Sequence, residues 1–302
     1  MAAELKHTVM PSGGDFTTLD AAIDHIAASH ADLVSADLYA SIEIDGTWSS
    51  EDTALVTVPA TIITDATRYL RVYTTAAARF DPHGPWDTGA YILHLAGSKC
   101  IYNNYTANLY LDGLQLQATG VNGTGDSPFI NTGGVAVLSN CIVRGDPAED
   151  TYAQYGISSG GGTVYVYNTI IYDISTNGTA LCRCISNATG AMHVYSTIGI
   201  GGNYGLRRTS GTVTAKNCYF GGSVAGDYNG TITKTTCASS DTTGDTGLQS
   251  IPVSAATFVN VTPGSEDFHL ASGSALIGVG TDTSGDAAPM NFTTDIDGDS
   301  RV

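Results

Sequence analysis

Few side chains in this sequence recur at spacings that could serve chemistry. Tyr165 and His193 are set at an interval of 28, as are Tyr167 and Tyr195, and Lys216 follows Tyr195 at an interval of 21. Rings brought side by side by such a period would form a flat platform for a sugar, because tyrosine offers a broad apolar face and a polar tip. The same residues could instead pair across strands to stabilise a sheet, or pack against another subunit. Arg144, Asp146, Tyr172 and Asp173 form a second set, in which Tyr172 follows Arg144 at the same interval of 28. An arginine near carboxylates can serve as base or substrate clamp in a lyase. It is equally the composition of a surface ion pair, worth little. Arg207-Arg208 is the one basic doublet, suited to a carboxylated sugar or an acidic partner if it is not simply a solvated turn.

Metal and thiol chemistry find less support. His7, His25, His30, His83, His94, His193 and His269 are scattered without ligand spacing. Asp295-Ile296-Asp297-Gly298-Asp299 has the acidic density of a calcium loop but lacks the EF-hand spacing and its closing glutamate. The expectation is no metal and no cofactor, with Ca2+ at that run the single candidate, against a turn of solvated aspartates. Cys182 and Cys184 are too close for a Cys-x-x-Cys knuckle. The six cysteines are therefore expected to be buried free thiols, behaving as small core hydrophobes.

Charge narrows the partners. With 12 basic against 29 acidic residues the net charge is −17, a field that repels nucleic acid and anionic membranes. Polyanionic sugars are disfavoured too, unless the few basic residues gather in one place. No apolar run reaches the roughly 18 residues of a membrane span. Residues Met1 to His7 carry no apolar core of a secretory signal, so the expectation is a virion or extracellular protein released by assembly or lysis.

A repeat must position these residues. Lines beginning at Val135, Thr163, Ala191, Thr212 and Thr231 read VAVLSNCIVRGD, TVYVYNTIIYDI, AMHVYSTIGIGG, TVTAKNCYFGGS and TITKTTCASSDT, at spacings of 28, 28, 21 and 19. Alternate positions face one way in a strand. Ala136, Val164, Met192, Val213 and Ile232 form one apolar column, and Leu138, Val166, Val194 and Ala215 the next. Asn140, Asn168, Ser196, Asn217 and Thr236 form a polar column suited to a ladder at a bend, followed by Cys141, Thr169, Thr197, Cys218 and Cys237. Ile142, Ile170, Ile198 and Tyr219 are expected to resume the interior, and Gly113 lies a further interval of 28 back in the Cys/Thr column, with the alternation of its line slipped by one residue. A second register, Ile130, Ile157, Ile185 and Leu206, recurs at 27, 28 and 21. Two registers moving together predict an all-β chain: a single right-handed parallel β-helix solenoid with several strands per coil. Coincidental spacing in a β-sandwich is the alternative.

The ends differ from the repeat. Asp15 to Ser29 predicts an N-terminal capping helix, with Thr17 and Asp20 as a capping-box-like pair and Leu19, Ala22, Ile23 and Ile26 as its apolar stripe. The organisation expected is an N-terminal segment and capping helix over 1–30, the solenoid over 31–263, and an irregular C-terminal cap over 264–302.

The opening Pro11-Ser12-Gly13-Gly14-Asp15-Phe16-Thr17-Thr18-Leu19-Asp20 resembles that of parallel β-helix proteins of the pectin-lyase-like superfamily, including pectin methylesterases and β-helix proteins of phage particles. Thr294-Asp295-Ile296-Asp297-Gly298-Asp299-Ser300-Arg301 is similar to the endings of secreted β-helix repeat proteins. The resemblance implies fold more than activity. Pectin methylesterases carry a Gly-x-x-Asp-Phe-x-x-Gly strand with a partner Asp and Arg; that strand is missing here. Pectate lyases combine calcium-binding carboxylates with an arginine base, and only Arg144, Asp146, Asp173 and Arg207 offer themselves. The leading expectation is thus a non-enzymatic structural or attachment protein, a head-decoration, fibre or tail component of a phage particle. Its partners would be copies of itself or other virion proteins, with glycans as a further candidate. The alternatives are a polysaccharide lyase or hydrolase acting on a long glycan, and a carbohydrate-binding adhesin using the tyrosines.

Overall fold

The computed structural model describes residues 2–81, 86–104, 106–120, 127–148, 153–176 and 182–300; His83 and Arg301 lie outside them. The chain winds as a parallel β-solenoid whose coils contribute in turn to three sheets of nine, seven and seven strands. One coil shows the pattern. Tyr155–Ser159 lies in the third sheet, Thr163–Tyr167 in the first and Ile170–Ile174 in the second, before Arg183–Asn187 returns to the third. Every pairing within these three sheets is parallel, and Val164 sits opposite Ala136 and Met192 as the repeat requires. The drop in interval from 28 to 21 comes from one corner. Ser175 to Cys182 links the second and third sheets in the longer coil, whereas Gly202-Asn203 suffices between Ile198–Gly201 and Tyr204–Arg208.

The interior is the stack of columns that the alternation predicts. Ala136, Leu138, Val164, Val166, Met192, Val194 and Ala215 are fully buried, and all six cysteines are buried thiols outside any disulfide. Burial holds the Cys141 thiol up at about 12 and pushes Cys184 further still, so both stay protonated.

From Leu109–Asp112 onward, each first-sheet strand is followed by one left-handed residue. Asn140, Asn168, Ser196, Asn217 and Thr236 have φ between 46 and 55°. Asparagine reaches this region more readily than other residues, and glycine does so freely. Gly113, at φ 76°, occupies the same column one coil earlier: Leu111 pairs with Leu138 and Asp112 with Ser139. It therefore aligns with Asn140 rather than with Cys141, and that coil is shorter by one than the expected interval.

The left-handed residue also reverses the side-chain alternation. Cys141 and Val143 point inward, so Ile142 points out. Ile142, Ile170, Ile198 and Tyr219 accordingly leave the interior, contrary to expectation, and Val143, Ile171 and Phe220 replace them there. Three members of the Cys/Thr column share a task at this corner, whereas the Cys218 thiol donates to the Val194 carbonyl of the coil before it at 3.0 Å. Thr169 and Thr197 donate their hydroxyls to the carbonyls of Tyr167 and Tyr195 at 3.0 and 2.9 Å, and Cys141 donates its thiol to that of Ser139 at 3.1 Å. The Tyr167 carbonyl also accepts the Asn140 amide at 3.2 Å, and the Tyr195 carbonyl the Asn168 amide at 3.3 Å. A small donor inside the core thus gives the last strand carbonyl before the bend a second partner, the shorter of the two where it is threonine. In the third sheet Ile157 faces Phe129 and Ile185, so the second register runs through Phe129 and not Ile130.

The outward apolar column is covered by the chain's own C-terminal part. Beyond Ala238–Ser239 the chain leaves the ladder, forms an antiparallel pair from Phe258–Asn260 and Asp267–Leu270, and lies back along the second sheet. Phe258 and Phe268 meet Tyr219 and Tyr172 at ring distances of 5.1 and 5.5 Å, building a second hydrophobic cluster with Ile142 and Ile170.

At the N-terminal end a helix runs over Leu19–Ser29, capped by Thr18, whose hydroxyl accepts from the Ala21 amide, rather than by Thr17. Its stripe of Leu19, Ala22, Ile23 and Ile26 is buried in the solenoid core. Buried Asp52 anchors its first turn, accepting the Leu19 amide at 2.9 Å and the Tyr91 hydroxyl at 3.0 Å.

Candidate functional site

Outward positions of the first sheet carry the aromatic residues picked out by the repeat, and the structure divides them. Tyr165 and His193 stack at 4.9 Å with an interplanar angle of 13°, both rings partly exposed. His193 is half-buried, and burial lowers its pKa, keeping the stacked ring neutral. Tyr167 instead stacks on Phe292 of the C-terminal segment at 4.8 Å and 7°. Lys216 reaches into the same segment, 2.7 Å from the Asp286 carboxylate and 2.8 Å from the Asp282 carbonyl, with its ammonium 5.9 Å from the Tyr195 ring centre. The corner ladder joins in: Asn168 donates to the Thr294 carbonyl at 2.9 Å, and Asn217 exchanges hydrogen bonds with the Thr281 backbone at 2.6 and 2.8 Å. Tyr167 and Lys216 therefore hold the returning chain, while Tyr165 and His193 stay available on the coil surface.

The open row runs further toward the N-terminus than the sequence lines suggest. Tyr110 pairs with Val137, which pairs with Tyr165. Tyr69 lies 4.5 Å from Tyr110, and Tyr39 lies 5.5 Å from Tyr69. Arg71 lies over Tyr73 at 4.4 Å, and the Tyr73 hydroxyl donates to Glu43. Irregular coil lengths before Leu109 hide these rings from a fixed-period search. The signal that finds them is the apolar column Ala40, Leu70 and Leu109 on the opposite side of the same strands.

Of the candidate catalytic set, Arg144 and Asp173 come together and Asp146 and Arg207 are engaged elsewhere. Arg144 Nε donates to Asp173 at 2.8 Å, and its guanidinium lies 5.7 and 5.8 Å from the rings of Trp86 and Tyr172. Burial opposes the Arg144 charge, but Asp173, Tyr172 and Glu266 outweigh it and raise the pKa, the wrong direction for a base. Asp146 turns to backbone, accepting the amides of Gly120 and Ala148. Arg207 belongs to the third sheet, with its guanidinium 5.0 Å from the Tyr204 ring.

A cavity of about 400 Å³ lies where the returning chain crosses the ladder, lined by Asn168, Ser196, Phe268, His269, Asp295 and Asp297. His269 is bracketed there by Asp267 at 2.5 Å and Asp297 at 2.8 Å. Burial works against its imidazolium, yet the two carboxylates prevail and raise its pKa. The aspartate run is committed locally: Asp295 accepts the amides of Asp297 and Asp299, and Asp297 accepts His269. Among the described residues, no three His, Cys, Asp or Glu side chains are grouped to hold a metal ion.

The chain matches no protein-family model, no curated protein and no solved structure. What bears on its function is its own residues.

Proposed function

We propose that this chain is a non-enzymatic structural or attachment protein, a right-handed β-helix of the kind used in phage particles as head decoration, fibre or tail component. In this reading the Leu19–Ser29 helix caps one end of the core, and the pectin-lyase-like resemblance of the opening residues reflects shared architecture. One observation carries the proposal. Of the groups that a lyase or hydrolase would bring together, Arg144 meets Asp173 alone, while Asp146 is spent on backbone amides and Arg207 lies on a different sheet. The continuous parallel ladder suits a load-bearing role, because each coil is held by backbone pairing to both neighbours. Partners would be further copies of the chain or other particle proteins. Quantitative mass spectrometry of purified particles checks this: a fixed copy number per particle is expected, and absence from intact particles contradicts it.

A second reading, a carbohydrate-binding adhesin, is favoured by the stacked and uncovered Tyr165–His193 pair. Tyr165→Ala should abolish glycan retention if this face binds sugars, while Tyr167→Ala should act through stability. Equal retention by the Tyr165→Ala variant would dismiss the aromatic face as a sugar platform.

A further inference from the structure

Uncompensated positive charge gathers on one face of this acidic chain. The seven strands of the third sheet contain three arginines, Arg183, Arg207 and Arg208, and a single carboxylate, Asp227, which is fully buried. Asp227 is spent on the amides of Ser240, Asp241 and Ser223. Several cations elsewhere meet acids: Lys6 with Glu43, Arg68 with Asp37 and Asp65, Arg79 with Asp112, Arg144 with Asp173, and Lys216 with Asp286.

Arg183 and Arg207 sit on neighbouring coils. Arg183 pairs with Tyr204 across the ladder, and Ser186 with Arg207. The Arg183 guanidinium lies 4.7 Å from the Tyr155 ring centre and that of Arg207 5.0 Å from Tyr204, so each ring braces one guanidinium. Arg183 Nη1 donates to the Ser186 hydroxyl at 2.9 Å. Arg183 Nε and both Nε and Nη1 of Arg207 are buried with no acceptor. Leaving charged donors unsatisfied is costly, and two like charges side by side add to the cost. Burial and the nearby Arg207 charge lower the pKa of Arg183. Both residues nevertheless keep part of their surface in solvent.

We propose that Arg183 and Arg207 form a binding site for the carboxylate of an acidic sugar chain laid across the third sheet. An arginine fork matches a planar carboxylate, and the flanking Tyr155 and Tyr204 give amphipathic edges for the sugar ring. The excess of negative charge elsewhere on the molecule would orient such a chain onto this face and no other. The site is separate from the Tyr165–His193 face and stands whether or not that face binds anything.

Calorimetric titration of the full chain with oligogalacturonate tests the proposal, using its methyl ester and poly-glutamate of matched charge as comparisons. Saturable binding of the uronate is expected, with the ester and poly-glutamate much weaker. R183Q and R207Q should each weaken it by about tenfold or more, while R79Q, which removes the partner of Asp112, binds as wild type. The melting temperature of R207Q should equal or exceed that of wild type, since an uncompensated charge is removed. Three results overturn the proposal: no saturable uronate binding, unchanged affinity in both glutamine variants, or poly-glutamate bound as tightly, which would make this a face for acidic protein. A sharp fall in stability of both variants, without uronate binding by wild type, would make the pair structural.

Discussion

At the corner between the first and second sheets, Thr169 and Thr197 each give the strand's last carbonyl a second donor beside the amide from the neighbouring coil. Replacing Thr169 by Val keeps its shape but removes that donor, which should cost about 0.5–1.5 kcal/mol by urea unfolding. Thr169→Ser, which keeps the donor, should cost distinctly less, and equal losses would contradict the assigned role. The column is plain in the sequence as Cys141, Thr169, Thr197, Cys218 and Cys237, but its purpose is not, because hydroxyl direction depends on the left-handed residue before it. That same residue explains why Ile142, Ile170, Ile198 and Tyr219 do not line the interior: alternation read through a bend changes sign. His269 supplies a pH signature. Its raised pKa means that pairing with Asp267 and Asp297 stabilises the fold fully below the unfolded value near 6.5, and this is lost as pH rises through the folded value. A proton NMR titration of the His269 ring should give a midpoint above about 6.5, and a midpoint at or below it would contradict the clasp.

Among the elements, the turn entering the first sheet and the returning C-terminal segment are the most exposed to mutation. Gly162, Gly190 and Gly211 stack at that turn with φ from 68 to 80°, and a Cβ on any of them would run into the backbone of the coil before it. Gly190→Ala should therefore cost more than about 2 kcal/mol, combining left-handed strain with a backbone clash, and wild-type stability would refute the stacking. The Gly-rich turns are legible in the sequence; their vertical register is not, since sequence gives spacing without approach distance. The C-terminal segment is legible only as an end to periodicity. Its destination follows from apolar residues that the bend turns outward, which need a cover, and Phe258 and Phe268 provide it. Phe268→Ala should cost about 3–5 kcal/mol, and hydrogen exchange should speed up over Phe258–Asn260 and Asp267–Leu270 before the ladder. Uniform exchange across the whole chain would mean that cover and solenoid unfold as one.

For the molecule as a whole, the parallel ladder is legible because inward columns survive changes of coil length: Val164, Met192 and Val213 stay in register although the interval drops from 28 to 21 between the first pair and the second. The candidate sites are legible less evenly. Tyr165 with His193 and Arg144 with Asp173 stand out as neighbours, whereas the partition of the aromatic face by residues 281–294 depends on contacts from far along the chain. Arg183 escapes a search for charge pairs because Arg207 lies one coil on and the braces of both are tyrosines rather than acids. In the proposed role this solenoid contacts its partners without transforming them. A turnover assay on neutral and acidic polysaccharides, with and without calcium, reads that distinction as new reducing ends and unsaturated uronates. No turnover is expected, even on a uronate that binds, and no difference between wild type and Arg144→Ala. Cleavage by the wild type that vanishes in Arg144→Ala would contradict the proposed role and make the Arg144–Asp173 pair part of an active site.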